Sequence, residues 1–254
     1  MHQVRFVSPL ELKKWVANKP ADLLDCLRND QIIIAKNYYP RSEILQLRNR
    51  AFQWGQDCPA SWHPLQGDLP DFHQLQNDHP QSVVKSKMHV FFYHGWHEEN
   101  NKLFDYFSDV FWLKAKVGGY PENSFLKQTP KEGVVSRVYI RHYPQGGGYL
   151  GEHFDHVAKF SLFQAVIPAF DFGKDFKTGG LYLRDKNKTV EFFDHEMSAG
   201  DLVLLSTTDG HGVSPIDPEF EYDWKRNTGR WSIVPLIIET NDNLNRIPAK
   251  PAIP

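Results

Sequence analysis

Cysteine is scarce in this chain: Cys26 and Cys58 are the only two among 254 residues. Two thiols are too few for a disulfide framework or a thiolate zinc site, and a reducing compartment is their simplest setting. Excess charge is missing as well, since 29 basic and 31 acidic side chains leave a formal −2. That balance gives no reason to expect nucleic acid or an anionic membrane as partner, which leaves something small or locally recognised. No apolar run approaches the length of a bilayer span, and the opening MHQVRFVSPLELKKWV has neither the apolar stretch nor the small-residue cleavage site of a signal peptide. The expectation is a soluble, cytoplasmic protein without internal repeats or low-complexity tracts. Aromatic residues, by contrast, are plentiful: seven Trp, ten Tyr and eighteen Phe suit a large core and a lined pocket without identifying either.

The first half of the chain reads as mixed. Ser8 and Pro9 supply a helix start, and Leu10, Leu12, Trp15 and Val16 follow near helical spacing, predicting a helix over 8–29. A buried strand is expected at Ile32–Ala35, a helix from about Ser42 as N-cap, a strand at 88–93 and an amphipathic helix over 98–114. Residues 56–86, rich in Pro, His, Asp and Gln, read as a long irregular loop. From Val134 onward short β-branched and aromatic runs alternate with turn residues. Strands are expected at 134–142, 153–157, 160–167, 180–184, 189–193, 201–206 and 231–239, the pattern of an antiparallel sandwich or barrel. The fold class is therefore mostly β with flanking helices around a double-stranded β-helix, a jelly-roll core. One domain over 1–254 is expected, with a helical and mixed part to about 130, the core over about 131–240 and a tail over 241–254.

Chemistry concentrates in YPQGGGYLGEHFDH, residues 143–156. In a strand, residues i and i+2 share a face, so His153 and Asp155 present an imidazole and a carboxylate together. His211 in DGHGVSP, after the apolar strand DLVLLS, offers a third ligand. Two histidines and one carboxylate on one face of an octahedron suit a non-haem ferrous site, although a lone H-x-D is equally compatible with hydrogen-bonded structural histidine. Glu152 and His156 point the other way. Gly146, Gly147 and Gly148 supply a turn that tolerates positive φ and lets backbone pass close to the pocket. Downstream, Arg230 and Ser232 in TGRWSIVPLIIE share a strand face and offer a guanidinium fork and a hydroxyl, either to an anion or to an internal carboxylate.

HFD, DGHGVSP and GRWS, in that order across 153–232, resemble the H-x-D…H…R-x-S signature of the Fe(II)- and 2-oxoglutarate-dependent dioxygenases. YPQGGGYLGEHFD with TGGLYLRD is similar to the prolyl-hydroxylase-type branch, and QIIIAKNYYPRSEILQLR resembles the strand and helix entering such cores, so the likeness covers about residues 30–240. The resemblance implies that His153, Asp155 and His211 bind Fe(II), that Arg230 with Ser232 holds the distal carboxylate of 2-oxoglutarate, and that Tyr143 lines that cosubstrate's pocket. The same resemblance implies O2 consumption, with succinate and CO2 as coproducts of a hydroxylation. An aspartate at position 155 favours hydroxylation over halogenation. One departure is the nineteen residues between His211 and Arg230, longer than many members show, which leaves Arg226 as a second candidate for the anion site. Other readings are a peptidyl hydroxylase, a cupin-like Zn or Mn enzyme, and a metal-free jelly-roll module binding a ligand such as a sugar. The loop 56–86, the HVFFYHGWHEE segment with His89, His94 and His97, and the 215–228 insertion are expected to wall a pocket for a small metabolite or amino acid.

Overall fold

In the computed structural model, residues 1–63, 69–80, 82–185 and 187–243 are described. A short strand that the sequence pattern did not disclose, β1 (Gln3–Val7), leads into a helix that starts as expected. Ser8 caps α1 (Pro9–Asn18): its hydroxyl accepts from the Glu11 amide and its own amide donates to the Glu11 carboxylate, satisfying two otherwise orphaned donors. The single helix expected over 8–29 is two. Pro20 disfavours helical backbone at Lys19, whose ψ is 62°, and α2 (Pro20–Arg28) restarts with that proline in its first position. After β2 (Gln31–Ala35), α3 (Arg41–Asp57) begins one residue before Ser42, with Pro40 at the cap position.

The stretch expected as an irregular loop contains a strand, β3 (Phe72–Asn77), whose polar sequence gave no period to read and which pairs along β4 (Ser86–His94); residues 64–68 and 81 of that stretch lie outside the described residues. The helix expected over 98–114 divides into a 3-10 turn, α4 (Asn101–Tyr106) and α5 (Ser108–Gly118). Then come β5 (Val134–Pro144), β6 (Gly148–His153), β7 (Phe163–Pro168), β8 (Gly180–Arg184), β9 (Val190–Phe192), β10 (Leu202–Ser206), β11 (Gly210–Ile216) and β12 (Gly229–Glu239). Two corrections matter. Residues 154–157 are not strand, and β6 and β11 are, although their glycines and Pro215 read as turns.

The strands lie in the order β1-β2-β10-β7-β12-β5-β4-β6-β11-β8-β9, with β3 on β4, and every pair but β1/β2 is antiparallel. The first seven form the larger wall of the jelly roll and β6, β11, β8 and β9 the smaller. Period two divides β2 between two cores. Ile33 and Ala35 pack with Leu12, Leu23 and Phe111 of the helices, while Ile32 and Ile34 pack with Val203, Leu205 and Phe170. Covering on both faces is why β2 reads as a continuous apolar run, and each fully buried isoleucine contributes about 1.5–3 kcal/mol.

Candidate metal and cosubstrate site

β6 and β11 run antiparallel with His211 opposite His153. Val213 then pairs with Leu150, so Gly151 and Glu152 together oppose Gly212; this bulge re-aims the end of β6 where His153 sits. Asp155 lies two residues past the strand, so the shared-face argument for it is corrected. Its carboxylate nevertheless reaches both imidazoles: Oδ1 is 3.8 Å from His153 Nε2 and Oδ2 is 3.3 Å from His211 Nε2, with the two rings 4.3 Å apart. One ligand atom from each residue lies within 4.8 Å of the others.

Backbone carbonyls fix the tautomers. His153 Nδ1 is 3.0 Å from Gly151 O, and His211 Nδ1 is 3.0 Å from Asp209 O. A carbonyl only accepts, so each Nδ1 donates and each Nε2 faces Asp155. Burial, with His211 alongside, pushes the His153 pKa down to about 4, so that imidazole is neutral. Asp155 Oδ2 is buried and, despite its nearness to His211, has no hydrogen bond. Two imidazoles and an orphaned carboxylate oxygen form a donor set suited to a divalent cation with positions left open.

Two other groups of comparable size fit a cation less well. In Asp71, His94 and His97, His94 Nδ1 bonds to Asp71 at 2.9 Å and His97 Nε2 bonds to Leu69 O at 2.7 Å. Arg137 stands directly opposite His94, its guanidinium enclosed by the Phe72, Phe92 and Tyr139 rings, so positive charge is already present there. In the group of His2, Asp30 and Asp209, His2 is engaged by Glu191 at 2.8 Å.

The inward faces of the two walls enclose a cavity of about 450 Å³ including its opening, lined among others by Asp155, His211, Tyr143, Arg230, Ser232 and Arg141. Arg230 does face this cavity, yet it also meets an internal acid: Nε and Nη2 lie 2.6 and 3.0 Å from the Asp194 carboxylate. Burial opposes its charge, and Asp194 more than offsets this, holding Arg230 above its ordinary pKa. Of the two alternatives for that arginine, the pairing with an internal carboxylate is the one the structure shows. Tyr143 is buried with its ring 5.6 Å from the Arg230 guanidinium, and Ser232 is next on the same face. Arg226 is exposed and pairs with Asp223 at 3.3 Å, which removes it as the anion residue.

The proposed pocket walls are corrected too. Among the described residues, 56–86, the segment from His89 to Glu99 and the 215–228 insertion contribute none of the cavity lining. His89 faces the helices beside His73 with its pKa lowered to about 2 by burial, and the insertion instead receives the Gly146 amide at Asp217 O, 3.0 Å away. Gly146 and Gly147 do adopt positive φ, 85° and 96°. Glu152 pairs with Arg184 and His156 with Glu239, outside the ligand set as expected. Asp194 and Arg141 were not singled out from sequence.

No protein-family model matches the chain, and a search of curated proteins found no match. Solved structures do resemble it. A Pseudomonas putida prolyl-4-hydroxylase is 13% identical with a TM-score of 0.53, covering 87% of this chain and 99% of that one. A Trichoplax adhaerens prolyl hydroxylase in complex with a hypoxia inducible factor peptide fragment is 16% identical, TM-score 0.54, over 92% and 94% of the two chains. A full-length Neurospora crassa protein in complex with alpha-KG (2-oxoglutarate) and thymine is 12% identical, TM-score 0.54, over 93% and 85%. The chain therefore has the jelly-roll fold that these prolyl hydroxylases and the Neurospora protein share.

Proposed function

We propose that the chain is an Fe(II)- and 2-oxoglutarate-dependent dioxygenase that hydroxylates an unactivated C–H bond of a small metabolite or amino-acid-like substrate, with succinate and CO2 as coproducts. The observation that carries this reading is the convergence of two imidazoles on an orphaned carboxylate oxygen, in one cavity with Arg230. His153, Asp155 and His211 would hold the ferrous ion. Arg230 with Ser232 would hold the cosubstrate's distal carboxylate, and Tyr143 would line its pocket. Bound metal and keto acid would supply the O2 chemistry that side chains lack. The chain's own part is to keep Nε2 of both histidines unprotonated, to offset cationic charge with Asp155, to aim Arg230 through Asp194 and to exclude bulk water with the apolar side chains of the two walls.

The small-substrate reading rests on the chain's near-neutral charge, and a peptidyl one draws support from the Trichoplax structure with its peptide. The fold neighbours speak against neither. Anaerobic loading with Fe(II) followed by 2-oxoglutarate and O2 should yield succinate stoichiometrically, with amino acids and proline-containing peptides compared as stimulants. Asp155→Ala should abolish this turnover. Absence of iron binding together with absence of succinate would remove the oxygenase reading and favour a ligand-binding module.

A further inference from the structure

On the inward face, Arg141 of β5 stands directly opposite Ser232 of β12, and Tyr143 directly opposite Arg230. Opposed residues of an antiparallel pair have Cβ atoms about 4.5–5.5 Å apart and diagonal ones about 7–8 Å. The four therefore form a square with two guanidiniums on one diagonal, and all four line the cavity that contains Asp155 and His211.

The two guanidiniums differ in their partners. Asp194 closes on the Nε and Nη2 edge of Arg230, and both side chains are 2% exposed. That approach depends on Gly180, where a Cβ would stand 2.3 Å from Asp194 Oδ2. Arg230 and Asp194 together carry no net charge. Among the described residues Arg141 has no carboxylate partner: its Nε is buried without a hydrogen bond, and the Tyr139 ring lies 5.5 Å from its guanidinium. Arg141 is half-buried, and a buried N–H without an acceptor is costly unless an anion meets it.

We propose that Arg141 is the second half of the cosubstrate clamp, holding the distal carboxylate of 2-oxoglutarate jointly with Arg230. This rests on the dioxygenase reading above. A carboxylate brought to Arg230 alone would place two anions on one cation, because Asp194 is already there. Arg141 restores the balance, while Asp194 fixes the orientation of Arg230 and leaves Nη1 for the ligand. Arg141 is then a cosubstrate-binding residue, and Asp194 a positioning residue acting through Arg230.

The test compares two keto acids on the Mn(II)-loaded protein by calorimetry: 2-oxoglutarate, and 2-oxobutyrate, which shares the metal-facing end and lacks the distal carboxylate. Arg141→Met should weaken 2-oxoglutarate about 10- to 100-fold, the value of a charge-assisted hydrogen bond, and leave 2-oxobutyrate within about twofold. Arg141→Lys should recover part of the loss. Melting curves of both variants confirm folding, and Met removes the charge while keeping an unbranched apolar stem in place of the arginine's. Equal weakening of both ligands would mean a structural role, and no weakening of either would mean that Arg141 serves the substrate or nothing; each overturns the proposal. If the wild type itself binds neither keto acid, the dioxygenase reading fails before any variant is made.

Discussion

A carboxylate oxygen buried without a hydrogen bond, as Asp155 Oδ2 is, raises the free energy of the metal-free fold. Asp155→Ala should therefore leave the metal-free melting temperature unchanged or higher while abolishing its rise with Mn(II). A single-site ligand at a hundredfold excess over Kd stabilises by about 2.7 kcal/mol, or roughly 5–10 °C for a chain of this size. Calorimetry with and without Mn(II) reads both effects, and a rise surviving in the variant would take Asp155 out of the site. Lys114 gives a pH prediction. It is buried on α5, its Nζ donates to Phe163 O at 3.0 Å, and burial lowers its pKa to about 8 while Asp155 pulls the other way. An unfolded lysine titrates near 10.4. Because the folded value lies below the unfolded one, the unfolded chain binds more protons in between, and stability rises from about pH 8 to pH 10. Below that window the penalty is full, about 3 kcal/mol. Metal-free Lys114→Met should gain stability in urea at pH 7 and lose that advantage near pH 10; an equal advantage at both would refute a charged Lys114. Of the site, His153, His211, Arg230 and Ser232 were legible because turns and apolar strands frame them. Asp194 was not, since it sits in a 3-10 turn thirty-six residues from Arg230 with nothing local to mark it.

At the level of single elements, the turn before β6 positions the candidate metal ligands. Gly146 has φ 85°, and a Cβ there would lie 2.5 Å from the Tyr222 backbone; Gly147 has φ 96° with open space around it. Gly147→Ala should cost about 1–2 kcal/mol from backbone strain alone, and Gly146→Ala distinctly more because the 215–228 segment must also move. Urea titrations of the pair decide this, and equal losses would show that the contact with Tyr222 is slack. The same turn shows why some strands were legible and others hidden. β2, β10 and β12 announce themselves as apolar runs because both faces are covered. β6 and β11 are built around glycine, bulge and ligand, so the features that make them useful erase their period. The break at Pro20 was written in the sequence, and its effect on Lys19 follows from proline sterics alone.

Across the whole molecule, Arg48 ties the helical layer to the jelly roll. From α3 it reaches Ala169 O at 3.1 Å, Asn227 Oδ1 at 3.0 Å and the Asp175 carboxylate at 3.0 Å, three points on the segments flanking β7, β8 and β12. Arg48→Ala leaves Asp175 without its buried cation and should cost about 3 kcal/mol, a fall of roughly 10 °C in Tm. A change of less than about 2 °C would show the ties to be replaceable. The overall architecture was legible where hydrophobic pattern sets it, and the wall order was not, because strands far apart in sequence meet there. β2 and β10 alternate their residues between the helices on one side and a second apolar core on the other. Such a party wall leaves no seam along which heat or a protease could peel the two halves apart. Amide exchange at Ile33 and Ile34 should accordingly report one and the same opening free energy.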